Sequence, residues 1–400
     1  MIKRQTYLEK LLPFKDKQLI KVVSGVRRCG KSTLFKLYQE QLLNDGVAPD
    51  QIISINLEDL AFESLLDYRK LHDYICAHLL PDRKNYVFLD EIQNVPSYEK
   101  AVDSLFIKDN VDLYLTGSNA YMLSGEMATL LSGRYVQIEM LPLSFAEYVS
   151  AFEKDRNIDR LFQSYLENSS FPYALQLSDP NAVRDYLQGV YSTIVLKDVV
   201  ARKKVADAAV LDSLIRFMFD NIGNLCSAKK ISDTLTSCGR KITSPTVESY
   251  LSALTESYIL YRVPRYDVKG KNLLKSLDKY YLCDTALRRL KVAAEASDSG
   301  HILENVVFLE LKRRGYEVYV GQAGNKEVDF VAIKAPNIVE YYQVSETLRD
   351  QATLTRELSA LEAIADHNPK YLLTADITPA ESYNGIQKRN VLDWILSAEA

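Results

Sequence analysis

The sequence predicts an α/β fold whose first part is a doubly wound parallel sheet, and three observations carry that expectation. Apolar, β-branched segments alternate with segments of helical length and pattern through residues 1–142, as βα units of a parallel sheet do. The first apolar run ends in a loop bounded by Gly25 and Gly30 that leads straight into a helical segment. Small, polar or acidic residues close two later runs, at Asp90-Glu91 and at Thr116–Asn119, and such sheets gather ligands at their strand ends.

Residues 1–18 read as a short helix and a turn leading into strand 19–24. The helix after the glycine loop extends to about Leu43 and stops at Asn44-Asp45-Gly46, a turn signal. QIISINLED (51–59) is a second strand, and the helical stretch 62–80 is closed by Pro81. KNYVFLDEIQNV (84–95) is a third strand, residues 97–109 a helix, VDLYLTGSNA (111–120) a fourth strand and RYVQIEML (134–141) a fifth.

The loop Gly25-Val26-Arg27-Arg28-Cys29-Gly30-Lys31-Ser32 is GxxxxGK[ST] between a strand and a helix, the context a phosphate-binding loop needs. Gly25 and Gly30 let the backbone curl so that its N–H groups face a phosphate, and the helix opened by Thr33 adds its N-terminal partial charge. Lys31 can reach the β- and γ-phosphates, and Ser32 can offer its hydroxyl to Mg²⁺. Residues 25–33 are therefore the expected triphosphate site. Asp90, ending a buried strand, is placed to join the Mg²⁺ shell, and Glu91 to orient and deprotonate an attacking water. Ser118 and Asn119 suit either a polar contact to the γ-phosphate or plain helix capping.

Bulk properties narrow the classes. Four hundred residues suggest two or three domains of ordinary globular composition, 47% hydrophobic and 26% charged. A net charge of −4 argues against bulk attraction to nucleic acid and leaves room for a local basic patch. Five scattered cysteines without a CxxC pair argue against a disulfide framework or zinc site and fit a reducing cytosol. No apolar run reaches the roughly 18 residues of a membrane span, and the N-terminus lacks a signal-peptide core, so a cytoplasmic protein with no membrane partner is expected.

GVRRCGKST, YVFLDEIQ, LTGSNA and SGRYVQIEMLPLSFAEY, in that order, resemble the AAA+ superfamily of P-loop ATPases. More narrowly they resemble a large prokaryotic family of ATP-binding proteins with a nuclease-like C-terminal domain of unknown function. The resemblance spans nearly the whole chain and implies the sheet order 5-1-4-3-2. It also implies that Arg134, just before the fifth strand, reaches the γ-phosphate of a neighbouring subunit, which would make the active unit a homo-oligomer. A surface arginine at a turn fits the same residue. Residues 143–206 stand where such proteins carry a helical lid, with Arg184, Lys197 and Arg202 as phosphate-sensing candidates or exposed helix charges. Ser169 and Ser170 stand where the family often has glycines.

Residues 207–290, three helices and a short β-ribbon, resemble a winged helix. The expected recognition helix, TSPTVESYLSALTES, carries two glutamates and no basic residue, while Arg262, Arg265, Lys269, Lys271 and Lys275 collect in the wing. A scaffold or backbone-contacting module fits that better than a sequence reader. Residues 291–400 resemble the PD-(D/E)xK nuclease fold: Glu304 and Asp329 match its carboxylates, yet Gln343-Val344-Ser345 replaces Glu-x-Lys. A neutral amide ligates hard metals poorly, so a catalytically degenerate domain is expected. The leading expectation is a Mg²⁺-dependent ATPase that drives or gates its C-terminal modules. The alternatives are a nucleotide-gated switch that binds DNA or protein with little turnover and, less favoured, a DNA nuclease.

Overall fold

The strands that are buried throughout take the middle of the first sheet. In the computed structural model, which describes residues 2–120, 131, 133–152, 157–200, 205, 207–274, 277–293, 299–377 and 379–397, β1 (Ile20–Ser24), β3 (Asn85–Asp90) and β4 (Val111–Gly117) are buried along their whole length. By contrast β2 (Ile52–Asn56) and β5 (Tyr135–Glu139) expose part of theirs. All five pair in parallel in the order β2-β3-β4-β1-β5, the order the resemblance implies. Central strands of a parallel sheet are covered on both faces and read as unbroken apolar runs, whereas edge strands need not be.

One face carries α2 (Lys31–Asn44), whose Phe35 packs on Phe88 at 5.1 Å between ring centroids; Phe88 in turn stacks on Tyr114 at 4.7 Å. The other face meets α3 (Tyr68–His78) and α4 (Tyr98–Phe106), with Leu71, Ile75, Val102 and Leu105 against Ile53, Val87 and Leu113. Two charges interrupt the central strands, and they answer each other. Lys21 on β1 is paired with Asp112 on β4, whose other oxygen accepts from the Tyr114 hydroxyl at 2.9 Å. Burial pushes the Lys21 ammonium pKa down and the Asp112 carboxyl pKa up.

The chain divides into two compact units. The first runs through Pro142 and takes in Phe171–Tyr173 and Glu256–Tyr258; the rest forms the second. The second unit opens with α5 (Phe145–Ser150), α6 (Ile158–Asn168) and α7 (Pro180–Thr193), the last continuing as a π-helix over Ile194–Val200. Ser169 adopts φ +82°, a conformation that favours glycine. The two serines have a use there, since the Ser169 hydroxyl and the Ser170 N–H donate to the buried Asp284 carboxylate at 2.9 and 2.6 Å.

Helices α8 (Ala208–Asp220), α9 (Ala228–Ser237) and α10 (Ser244–Glu256) follow, then the antiparallel pair of β6 (Leu260–Val263) and β9 (Lys279–Leu282). The intervening β7 (Arg265–Asp267) and β8 (Asn272–Leu273) do not complete a free ribbon. β7 pairs in parallel with β10 (Glu317–Ala323) and lengthens the C-terminal sheet, whose order is β14-β15-β13-β12-β11-β10-β7-β8. Two of the basic residues read as a wing have partners within this unit: Arg262 bonds Asp278 at 2.8 Å and Arg265 bonds Gln322. Arg202 and Lys275 lie outside the described residues.

Helix α11 (Ser299–Arg313) precedes β10, β11 (Lys326–Lys334) and β12 (Ile338–Ser345), which form an antiparallel meander. After α12 (Gln351–Glu362), β13 (Lys370–Thr374) pairs in parallel with β12. A hairpin, β14 (Glu381–Tyr383) and β15 (Ile386–Asn390), then leads into α13 (Val391–Leu396). Among the described residues no helix is long and apolar enough to cross a membrane.

Candidate nucleotide site

The P-loop is built by close approach. Gly25 has φ +149°, and a Cβ there would stand 2.1 Å from the Met140 carbonyl oxygen, so only glycine fits against the end of β5. Gly30, at φ +107°, precedes the first turn of α2, and Arg28 also takes a left-handed conformation, so the loop curls twice within three residues. The Val26 and Cys29 side chains are buried, the Cys29 N–H donates to the Val26 carbonyl at 3.3 Å, and Arg27 pairs with Glu58 at 3.2 Å. Ser32 and Thr33 lie in the first turn of α2. Lys31 folds back on its own loop, donating to the carbonyls of Gly25 at 3.0 Å and Val26 at 3.3 Å.

Two strand ends complete the site. The Ser32 and Thr116 hydroxyls both bond Asp90, and Thr116 also accepts from the Glu91 N–H at 2.9 Å. Burial pushes the Asp90 carboxyl pKa up, with those hydroxyls opposing it. Glu91 sits in the left-handed region at φ +54°, an uncommon and strained conformation for a side chain of its size. Its carboxylate accepts from Ser118 Oγ at 3.1 Å and from Gln93, and its other oxygen lies 3.7 Å from Lys31 Nζ. Burial alone would raise its pKa; Lys31, helped by Gln93, Arg27 and Ser118, brings it below the ordinary value.

The fold thus brings together the P-loop, Asp90, Glu91 and Ser118, with Asn119 buried beside Ser118 in the chain. Arg134 stands apart from them. It precedes Tyr135, which pairs with the first residue of β1, and it bonds Asp103 at the opposite end of the strands from the P-loop. A triphosphate with Mg²⁺ fits the residues present: a glycine cradle with no room for a Cβ, a lysine, and hard oxygen donors on Ser32 and Asp90.

Sequence reasoning placed Thr116 at a strand end without giving it a role, gave Gln93 none, and missed Tyr258 altogether. The Tyr258 hydroxyl donates to Ser24 Oγ at 2.9 Å, and Gln137 donates to the same oxygen at 2.8 Å, bracing the residue before Gly25. Thr116 and Gln93 lie in the recognised strand-end segments, but nothing in the sequence couples residue 258 to residue 24.

The carboxylates read from the C-terminal segment also meet, around a cation the sequence did not reveal. Lys279 on β9 places its buried ammonium 3.4 Å from Glu304, 3.6 Å from Asp329 and 2.8 Å from Glu327. Burial would lower the Lys279 pKa, yet Tyr281, Glu304, Asp329 and Glu327 carry it well above its usual value. Gln343 spends its amide on Glu357 at 2.7 Å, and its carbonyl oxygen accepts from the Asp329 N–H. Among the described residues no group of three or more His, Cys, Asp or Glu side chains is placed to hold a metal ion.

Residues 17–149 match the family described as AAA domain, and residues 159–297 match a domain of unknown function, DUF8612. Residues 17–149 are therefore similar to an AAA-type P-loop domain in sequence, motif and fold. The chain is 39% identical over 400 residues, 99% of each chain, to an uncharacterised protein of Haemophilus influenzae. It is 30% identical over 381 residues to one of Methanocaldococcus jannaschii, covering 89% of this chain and 80% of the other. The chain belongs to the family that these two proteins represent. Among solved structures, the Walker-type ATPase of Pyrococcus abyssi superposes with TM-score 0.51 at 14% identity, over 72% of this chain and 95% of that one, a likeness of fold.

Proposed function

We propose that this protein binds ATP with Mg²⁺ and hydrolyses it, using turnover to drive or gate its C-terminal modules. One observation carries the reading: Glu91, held by Ser118 and Gln93, faces Lys31 beside an Asp90 already bonded to the P-loop serine. The N–H groups of residues 25–33 hold the phosphates, and Lys31 exchanges the Gly25 and Val26 carbonyls for phosphate oxygens. Glu91, kept ionised by its lowered pKa, orients the attacking water and accepts its proton, while Ser118 and Asn119 line the approach. Ser32 and Asp90 would hold Mg²⁺, which when bound neutralises charge on the β- and γ-phosphate oxygens.

Glu91→Gln tests this directly. Steady-state turnover should fall about 100-fold or more, the usual range for a general base, with the Kd for Mg·ATP within a few-fold of wild type. Turnover equal to wild type would remove Glu91 from the chemistry. A second reading, a nucleotide-gated switch, draws on the internal partners of Lys31 and Glu91, which ATP must displace before the site can work. Tight ATP binding without turnover, with DNA present or absent, would favour it.

We assign residues 1–142 to the ATPase core, 143–206 to a helical lid, 207–290 to a winged-helix-like module and 291–400 to a nuclease-like domain. The lid rests on the helices α5–α7. The third segment rests on three helices followed by the β6–β9 pair, although β7 and β8 join another sheet. The last rests on the α11-β10-β11-β12-α12-β13 order with Glu304 and Asp329 close together. Lys279 occupies the space between those carboxylates, which argues for a contact domain over a metal-dependent nuclease. A homo-oligomer, a DNA or protein partner and a cytoplasmic setting complete the proposal, the last resting on five free thiols.

A further inference from the structure

The first unit contains a buried guanidinium that neither the motif nor the strand ends account for. Arg4, 2% exposed, precedes α1 (Gln5–Leu11) and lies behind the P-loop. Its Nη1 donates to the Cys29 carbonyl at 2.8 Å, and its Nη2 donates to the Leu141 carbonyl at 2.7 Å and to that of Pro142 at 3.4 Å. The fork rests on the Tyr7 ring, 4.9 Å from the centroid, and the Tyr7 hydroxyl accepts from the Leu141 N–H at 2.9 Å.

Burying an arginine is costly unless its donors are used, so a guanidinium spent on loop carbonyls calls for a reason in the loop. The peptide plane supplies it. The C=O of Cys29 and the N–H of Gly30 belong to one trans, planar peptide and point in opposite directions. Holding that carbonyl back toward Arg4 turns the Gly30 N–H the other way, away from Arg4. That N–H belongs to the glycine next to Lys31, one of the groups a P-loop turns on a phosphate. A cation on the carbonyl also polarises the peptide and makes its N–H a stronger donor. Both ends of the loop then rest on one segment: Gly25 presses on the Met140 carbonyl, and Cys29 is tied through Arg4 to Leu141 and Pro142.

We infer that Arg4 is a positioning residue for the triphosphate site: it presets the Cys29–Gly30 peptide so that the Gly30 N–H is already oriented when the phosphates arrive. This rests on the nucleotide reading above. It touches no phosphate itself. Its role needs two donors in a rigid fork, which the point charge of a lysine does not reproduce.

The test is calorimetric titration of full-length wild type, Arg4→Ala, Arg4→Lys and Arg4→Gln with Mg·ATP, alongside the melting temperature of each free protein. Loss of one charge-assisted contact to the loop should weaken ATP binding roughly 10- to 100-fold in Arg4→Ala and nearly as much in Arg4→Lys. Arg4→Gln, whose amide can still reach one carbonyl, should fall between and serves if the alanine variant does not fold. Added methylguanidinium should restore part of the ATP affinity of Arg4→Ala and none to Lys31→Ala, a rescue that a merely structural arginine would not show. Folded Arg4→Ala or Arg4→Gln binding ATP within twofold of wild type would overturn the inference, and so would Arg4→Lys with full affinity. Wild type that fails to bind ATP would instead overturn the nucleotide reading on which it rests.

Discussion

Asp90 and Glu91 are neighbours in the chain whose environments push them in opposite directions. Asp90 is held mostly by neutral hydroxyls in a buried position, so its ionised form is disfavoured, whereas Glu91 faces Lys31 and its ionised form is favoured. The linkage signs differ accordingly. Because the folded-state pKa of Asp90 is raised, the native state loses stability as pH climbs from the unfolded carboxylate range through that raised value. Glu91, with a lowered pKa, contributes stability present above its unfolded pKa and lost as pH falls through the lowered one. A group kept ionised at a stability cost is what an ion-binding position requires. Asp90→Asn should therefore stabilise the nucleotide-free protein at neutral pH, raising Tm by about 2–4 °C, the shift that roughly 1 kcal/mol produces in a unit of this size. The same variant should lose the Mg²⁺ dependence of ATP binding. An unchanged or lowered Tm would show that the hydroxyls of Ser32 and Thr116 already offset the burial.

At the scale of elements, β9 delivers a cation into the C-terminal carboxylates. Lys279→Met would leave Glu304 buried without its counter-charge, at a cost of about 3–5 kcal/mol, measurable as a lowered denaturation midpoint. Adding Glu304→Gln should recover part of the loss, and a single variant as stable as wild type would show that the cluster carries no such weight. This lysine was illegible in the sequence, since KYYLCD reads as an apolar ribbon and its partners lie 25 to 50 residues further on. The ATPase sheet was legible because apolar runs of strand length ended in Gly25, Asp90 and Gly117, and period and punctuation agree there. Arg4 and Tyr258 were not, because their contacts span 137 and 234 residues and leave no local pattern. Strands as short as β7 and β8 have too few residues for an alternation to reveal their sheet, so the wing reading followed from the preceding helices and a β-ribbon taken to be self-contained. The C-terminal hairpin is a different case. Asn384-Gly385, both at positive φ, is a strong local turn signal between β14 and β15, legible in the sequence yet passed over.

For the whole molecule, the position of Arg134 decides how the site can be completed. It lies at the start of β5, alongside the start of β1, while the P-loop follows the far end of β1. Four residue steps of strand at about 3.3 Å each put roughly 13 Å of sheet between that end and the loop, so Arg134 cannot serve the P-loop of its own chain. Its bond to Asp103 joins two half-exposed side chains, and such a pair is worth only about 0–1 kcal/mol, so it can be exchanged for a stronger partner. A guanidinium offered to the phosphate of a neighbouring copy would be that partner, and an arginine supplied in trans speeds phosphoryl transfer about 10³-fold or more. Light scattering on a sizing column should then show wild type shifting to a multiple of its monomer mass with a non-hydrolysable ATP analogue. Arg134→Ala should lose turnover while keeping its affinity for ATP. The decisive measurement mixes Arg134→Ala with Glu91→Gln, each inactive alone. If the arginine acts in trans, mixed assemblies contain sites with an intact Glu91 from one variant and an intact Arg134 from the other, and turnover returns. A mixture that assembles yet stays as inactive as its parts, or an Arg134→Ala protein with full turnover, would leave Arg134 as a surface residue tied to Asp103 and the site complete within one chain.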